Sequence, residues 1–244
     1  MNKNVLIIGG TSDIGFAIAS EFAHIGFDIT LIGRERDALK VNANDLSIRH
    51  NINANYYFLD ILDLSSIDEF LNNYKQVPDG VIYSIGYLGD QAKAQNEFDE
   101  AKKILDINFT NSMKILNHFA NQFEQKQSGF IIGISSVAGD RGRQSNYIYG
   151  SAKAAFSTYL SGLRNRLSGK NVQVITVKPG FVRTKMTAGL PLPEKLTSTP
   201  KMVAKDVIKG WKKHKDIIYT KSIWRWIMLA IKIVPEKIFK KTNI

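Results

Sequence analysis

The sequence predicts a doubly wound α/β domain. A parallel sheet of about seven strands carries helices on both faces, and an amphipathic C-terminal tail follows. Three observations predict it. Short β-branched apolar runs recur along the chain, segments of helical length separate them, and the first run passes through a glycine-rich turn into the first helix. The 244 residues suit one large domain over 1–221, with the tail at 222–244. Apolar residues make up 44% and charged residues 23%, which excludes disorder and fibrous repeats.

The expected strands are residues 5–8, 29–32, 56–59, 81–83, 130–134, 172–177 and a short one at 217–219. Continuous apolar runs of this length suit strands buried on both faces of a parallel sheet. Helices are expected over 14–25, 149–167 and 201–213, among others. Between 180 and 200, Gly180, Gly189, Pro191, Pro193 and Pro200 mark a long loop, which reads as a lid.

Composition narrows the chemistry. The chain has no cysteine, which excludes disulfides, thiol nucleophiles and Cys-ligated metals. His24, His50, His118 and His214 lie far apart in sequence, so no metal site is expected. The formal charge of +11 is unevenly placed: 12 of the 33 basic residues but only 3 of the 22 acidic ones lie in 201–244. A tail of that kind points to an anionic surface. No secretory signal is expected at residues 5–8, where glycines cut the apolar run short. Spanning a bilayer takes about 20 apolar residues, and the nearest run, 223–234, contains Arg225 and Lys232. The body is expected to be cytoplasmic.

Gly9-Gly10-Thr11-Ser12-Asp13-Ile14-Gly15 follows the first strand and opens a helix. Glycines allow a tight turn and close approach of backbone to a pyrophosphate, and a helix N-terminus offers free N–H groups to the anion. Gly9, Thr11, Ser12, Asp13, Ile14 and Gly15 are therefore cofactor candidates. Arg34 ends the second strand where an acidic residue would accept from the ribose of NAD, so a 2′-phosphate is expected: NADPH, with NAD the alternative. Asp60, followed by Ile61, ends the third strand, where a carboxylate can accept from the adenine amino group. Asp63 reads as a helix cap.

Tyr149 and Lys153 stand four apart, which on a helix puts both on one face. An ammonium beside a phenol favours the phenolate, so the Tyr149 pKa is expected to fall toward working pH. Ser136, just after the fifth strand, could steer the same carbonyl oxygen. Asn108 could hold a water chain that reconnects Lys153 to solvent.

With these residues in view, the chain resembles the short-chain dehydrogenase/reductases over its whole length. The resemblance rests on Gly9 to Gly15, Asp60, Asn108, Ser136, Tyr149, Lys153 and Lys178-Pro179-Gly180-Phe181-Val182-Arg183-Thr184. It implies a Rossmann-type fold, reduction of a keto substrate, a homo-oligomer, and cofactor contacts from Gly86, Pro179, Gly180, Val182 and Thr184. Two positions depart from the family pattern: Asp13 replaces the middle glycine, and Ser84-Ile85-Gly86 replaces Asn-Ala-Gly. A narrower resemblance, to decaprenylphosphoryl-2-keto-erythro-pentose reductases, lies in 6–17, 86–90, 139–149 and 224–241. It implies a 2-keto sugar on a polyprenyl phosphate, used in cell-envelope glycan synthesis, with Arg141, Arg143 and Arg183 as candidates for the substrate phosphate. The alternatives are a soluble ketoreductase acting on a small or acyl-thioester ketone, and a non-catalytic nucleotide-binding scaffold.

In the tail, Trp224, Ile227, Met228, Ile231 and Val234 share a helical face and Pro235 ends it. Such a helix packs in a core or subunit interface, or lies peripherally at the inner face of a membrane. The tail's aromatics sit among aliphatics, so nucleic acid is not an expected partner.

Overall fold

The computed structural model describes residues 3–242. Seven parallel strands form one sheet in the order β3-β2-β1-β4-β5-β6-β7. They are β1 (Asn4–Ile8), β2 (Asp28–Gly33), β3 (Ala54–Phe58), β4 (Gly80–Tyr83), β5 (Gly129–Ile134), β6 (Val172–Pro179) and β7 (Ile217–Thr220). Each expected strand is present, displaced by at most two residues at either end.

Central strands are buried on both faces because helices cover both. Val5, Leu6, Ile7 and Ile8 are fully buried. Val5 and Ile7 face a cluster with Ile18 and Phe22 of α1 (Asp13–His24), Leu39 of α2 (Arg36–His50) and Val203 and Val207 of α8 (Pro200–Lys212). Leu6 and Ile8 face the opposite cluster, with Ile67 of α3 (Leu64–Asn73), Ile115 and Phe119 of α6 (Asn111–Lys126) and Phe156 and Leu160 of α7 (Tyr147–Leu167). Two short helices, α4 (Gln91–Ala94) and α5 (Phe98–Leu105), lead into a π-helical turn, Asp106–Thr110, before α6. Asp63 caps α3, its side chain accepting from Ser65 N–H.

Burial on both faces fails at β3. Tyr56, Tyr57 and Phe58 are each more than a third exposed. The strand lies at the sheet edge and pairs with β2 alone, so its aromatics are covered only in part, Tyr57 by Phe70 of α3 and Phe58 by Arg36 of α2.

After β7 the chain forms α9 (Ile223–Ile233), turns at Pro235 and adds α10 (Glu236–Phe239). α9 folds back on the domain. Trp224 and Met228 are buried with Val137, and Phe181, Leu196 and Tyr219 pack around them. Among the described residues, no helix is long and apolar enough to cross a membrane.

Candidate active site

Strand order reverses between β1 and β4, so their carboxyl ends diverge and open a crevice. The glycine-rich turn sits there. Gly9 adopts φ +98, and a Cβ on it would come within 2.9 Å of the Ser84 carbonyl carbon at the end of β4. A Cβ on Gly15 would lie 2.2 Å from the Gly9 oxygen. Ser12 caps α1: its hydroxyl accepts from Gly15 N–H at 3.0 Å and donates to the Gly9 carbonyl at 2.7 Å. The N–H groups of Asp13 and Ile14, in the first turn of α1, have no acceptor within their own helix. The turn therefore combines a tight, unhindered backbone with free donors, which fits an anionic dinucleotide.

Asp13 does something the sequence did not suggest. Its Oδ2 accepts from Lys185 N–H at 2.7 Å, which ties the 180–200 loop to the glycine-rich turn. A glycine there could not make this tie. Within the loop, Met186 reaches across the crevice, and its Cε lies 3.3 Å from where a Cβ on Gly86 would be.

A cavity of about 280 Å³ connects the turn to the reacting centre. Its walls include Ser12, Asp13, Ile14, Gly86, Ser136, Tyr149, Lys153, Pro179, Gly180, Val182 and Thr184. Gly9 and Gly15 belong to the turn but do not line the wall. Thr11, Arg34, Asp60 and Ile61 lie toward the ends of β1, β2 and β3. Thr11 Oγ1 is 3.7 Å from a Cβ placed on Gly33, so the first turn and the Arg34 segment meet. Arg34 is exposed. Asp60 accepts from Leu62 N–H at 2.9 Å, while Ile61 is buried.

Tyr149 and Lys153 lie one turn apart on α7, with the lysine Nζ 5.7 Å from the tyrosine ring centroid. Lys153 is 2% exposed, and its Nζ donates to the Ile134 carbonyl at 3.2 Å. Burial lowers its pKa to about 7. The Tyr149 phenol moves the other way. Burial raises it to about 12, and the neighbouring Ser136 hydroxyl acts in the opposite direction. The expected fall in the phenol pKa is thus not met in the protein alone. A lysine that is itself half-neutral near pH 7 supplies little field, and desolvation dominates.

Ser136 caps a short 3₁₀ turn, Val137–Gly139, and accepts from Ala138 N–H at 3.1 Å. That bond occupies a lone pair and leaves the O–H directed at the Tyr149 phenol oxygen, so both hydroxyls point to one place. Asn108 is fully buried in the π-helical turn. Its Nδ2 donates to the carbonyls of Tyr87 (2.7 Å) and Ile104 (2.8 Å), and its Oδ1 accepts from Tyr87 N–H. Both amide hydrogens are used, so Asn108 fixes the backbone after Gly86.

Three arginines were expected near the substrate. Arg141 is committed elsewhere: it donates to the carbonyls of Ile231 and Val234, pairs with Glu236 at 2.9 Å and stacks on Phe239. It clamps the end of α9. Arg143 lies half-buried with Nη2 3.3 Å from Met228 Sδ, and burial lowers its pKa. Arg183 is exposed within the 180–200 loop.

Trp224 is the site-shaping residue that sequence reasoning missed. Its Nε1 donates to the Leu196 carbonyl at 3.0 Å, and it meets Phe181 edge to face. A Cβ on Gly180 would lie 2.0 Å from its ring. The indole thus fills the back of the segment whose front lines the cavity. Its place on the apolar face of the tail helix leaves open whether that face packs in a core or subunit interface or lies at a membrane, and no local signal distinguishes them.

Fold and site together define a nucleotide-dependent oxidoreductase of the doubly wound class. A model of the short chain dehydrogenases matches residues 3–195, and the chain belongs to that family. An uncharacterised oxidoreductase of Mycobacterium tuberculosis is 30% identical over 240 residues, covering 97% of this chain and 96% of the relative. The match takes in α9. A 3-oxoacyl-[acyl-carrier-protein] reductase of Chlamydia muridarum is 28% identical over 194 residues, 78% of each chain. A short-chain dehydrogenase from Sphingobium yanoikuyae, solved in complex with NADPH, superposes with a TM-score of 0.85 at 21% identity, covering 96% of this chain and 97% of that one.

Proposed function

We propose that this protein is an NADPH-dependent ketoreductase. The convergence of Ser136, Tyr149 and Lys153 on one cavity, at the open end of the nucleotide turn, carries the reading. NADPH, when bound, supplies the hydride. The chain's own residues do the rest. Ser136 donates to the carbonyl oxygen and orients it. Tyr149 gives that oxygen a proton as charge develops on it. Lys153 holds the cofactor ribose and, in its protonated form, stabilises the phenolate that remains once Tyr149 has given up its proton. The first turn of α1 takes the pyrophosphate, Arg34 the 2′-phosphate and Asp60 the adenine, while Val182 and Thr184 meet the nicotinamide carboxamide.

For the substrate we favour a 2-keto sugar on a polyprenyl phosphate. The narrower resemblance, which extends through the tail, supports it, and so does the cationic character of that tail. It also makes the protein a peripheral membrane enzyme. A 3-oxoacyl thioester is the second reading, supported by the chlamydial relative. A homo-oligomer is expected on either reading.

Loss of cofactor absorbance is the direct test, with a polyprenyl-phosphoryl keto-pentose, an acetoacetyl thioester and a small water-soluble ketone in parallel. Turnover of the first at a kcat/KM at least tenfold above the other two supports the sugar. Preference for the thioester overturns it. No oxidation with any of them overturns the ketoreductase itself.

A further inference from the structure

α9 has two apolar faces. The inner one, Trp224 and Met228, is spent on the domain. The outer one is not: Trp226 is 66% exposed, Leu229 48% and Ile233 71%. Positions 226, 229 and 233 form a single stripe along the helix. Ile223, one turn before Trp226, extends it and is half exposed. Charge surrounds the stripe. Trp226 and Leu229 lie in the wall of a groove of about 930 Å³ between α8, β7 and α9. Six cations border that groove: Lys205, Lys209, Lys215, Lys221, Arg225 and Lys232. Its carboxylates are Asp206 and Asp216, and Asp216 faces Arg164 at 3.5 Å.

We propose that this face docks on an anionic lipid surface, with Trp226, Leu229 and Ile233 in the headgroup region and the six cations against the lipid phosphates. The proposal deepens the membrane contact suggested above by naming the face that makes it. An exposed indole flanked by aliphatics and long basic side chains suits the interface, where the ring inserts and the lysine stems lie along the apolar boundary. A second copy of the chain fits poorly. A two-fold interface places the patch against itself, and six cations facing six cations repel with only two carboxylates a side to offset them. Nucleic acid would want several exposed rings for base stacking, and this patch has one.

Docking here also serves the site. The inner face of the same helix backs Gly180, so the lipid surface lies about one helix diameter, roughly 10 Å, behind the cavity wall. Arg141 and Trp224 hold α9 fixed, so the membrane orients the cleft as well as recruiting the protein.

The test uses the full chain, sedimented with vesicles of phosphatidylcholine alone or mixed with phosphatidylglycerol. Binding is expected only with the anionic vesicles, weakening at least tenfold between low and high salt. The triple variant Trp226→Ser, Leu229→Ser, Ile233→Ser should lose at least tenfold in binding. Its turnover of a water-soluble ketone and its unfolding midpoint should match the wild type. Should that variant misfold, fluorescence decides. Anionic vesicles should shift the wild-type emission to shorter wavelength, and Trp226→Phe should remove the shift. Equal binding to both vesicle types, no binding at low salt, or a fluorescence shift that survives Trp226→Phe overturns the proposal. So does a dimer that the triple variant abolishes while vesicles are ignored. Failure of the soluble ketone to react would count against the ketoreductase reading alone, because vesicle binding is read without turnover.

Discussion

Lys153 holds a primary amine where almost no water reaches it, with one backbone carbonyl as its hydrogen-bond partner. Its folded pKa of about 7 lies below the ordinary 10.5. Between those values the unfolded chain binds a proton that the folded chain does not, so stability rises with pH across that window. Below pH 7 the penalty for burying the charge is complete. We expect the urea midpoint of the wild type to climb from pH 7 to about pH 9, and that of Lys153→Met to climb less. Identical slopes would show that Lys153 is not buried as described. Tyr149→Phe tests the neighbouring group. With the proton donor gone, kcat should fall by about 10²–10⁴-fold while NADPH affinity holds. Retention of more than a tenth of the activity would exclude Tyr149 as the donor.

At the scale of elements, α9 and the 180–200 loop behave as one unit. Trp224 sits where a Cβ on Gly180 would need to be, so Gly180→Ala should displace either the indole or the cavity-lining backbone. Activity is expected to fall at least tenfold in Gly180→Ala. Adding Trp224→Leu should cost less than the two single effects combined, because the smaller side chain relieves the contact. Strictly additive kinetics would mean that the two residues do not act on one another. Removing 222–244 should weaken NADPH binding measured by titration, since it exposes Phe181 and frees the Leu196 carbonyl. A simple surface tail would leave that binding unchanged. Arg141→Ala should raise hydrogen exchange across 223–239 and leave α7 protected.

For the whole molecule, the cofactor is a stability term. A ligand that binds only the folded state adds about 2.7 kcal/mol at a hundred times its Kd. NADPH should therefore raise the melting temperature more than NADH at equal concentration. Arg34→Glu should reverse the order by removing a phosphate partner and adding a ribose acceptor. An unchanged order would move 2′-phosphate recognition to another cation, of which Arg36, stacked 4.3 Å over Phe58, is the nearest in sequence.

The sequence by itself determined the alternation of strands and helices, because burial on both faces of a parallel sheet demands runs such as 5–8 and 130–134 that few other folds tolerate. It also determined the glycine-rich turn into α1 and the placing of Tyr149 and Lys153 on one face of α7, because both follow from short-range spacing. Tertiary structure alone decided which of those runs were edges, and so why Tyr56 to Phe58 face outward. It set the direction of the Tyr149 pKa, because desolvation depends on what surrounds a group and not on which residue stands four positions away. It turned Asp13 from a missing glycine into a tie to Lys185, and Arg141 from a phosphate candidate into the clamp of α9. It also chose which side of α9 to bury. Periodicity shows that a helix has an apolar stripe. Which surface that stripe meets is fixed by the shape and polarity of residues far away in the chain, here Val137, Gly180 and Phe181.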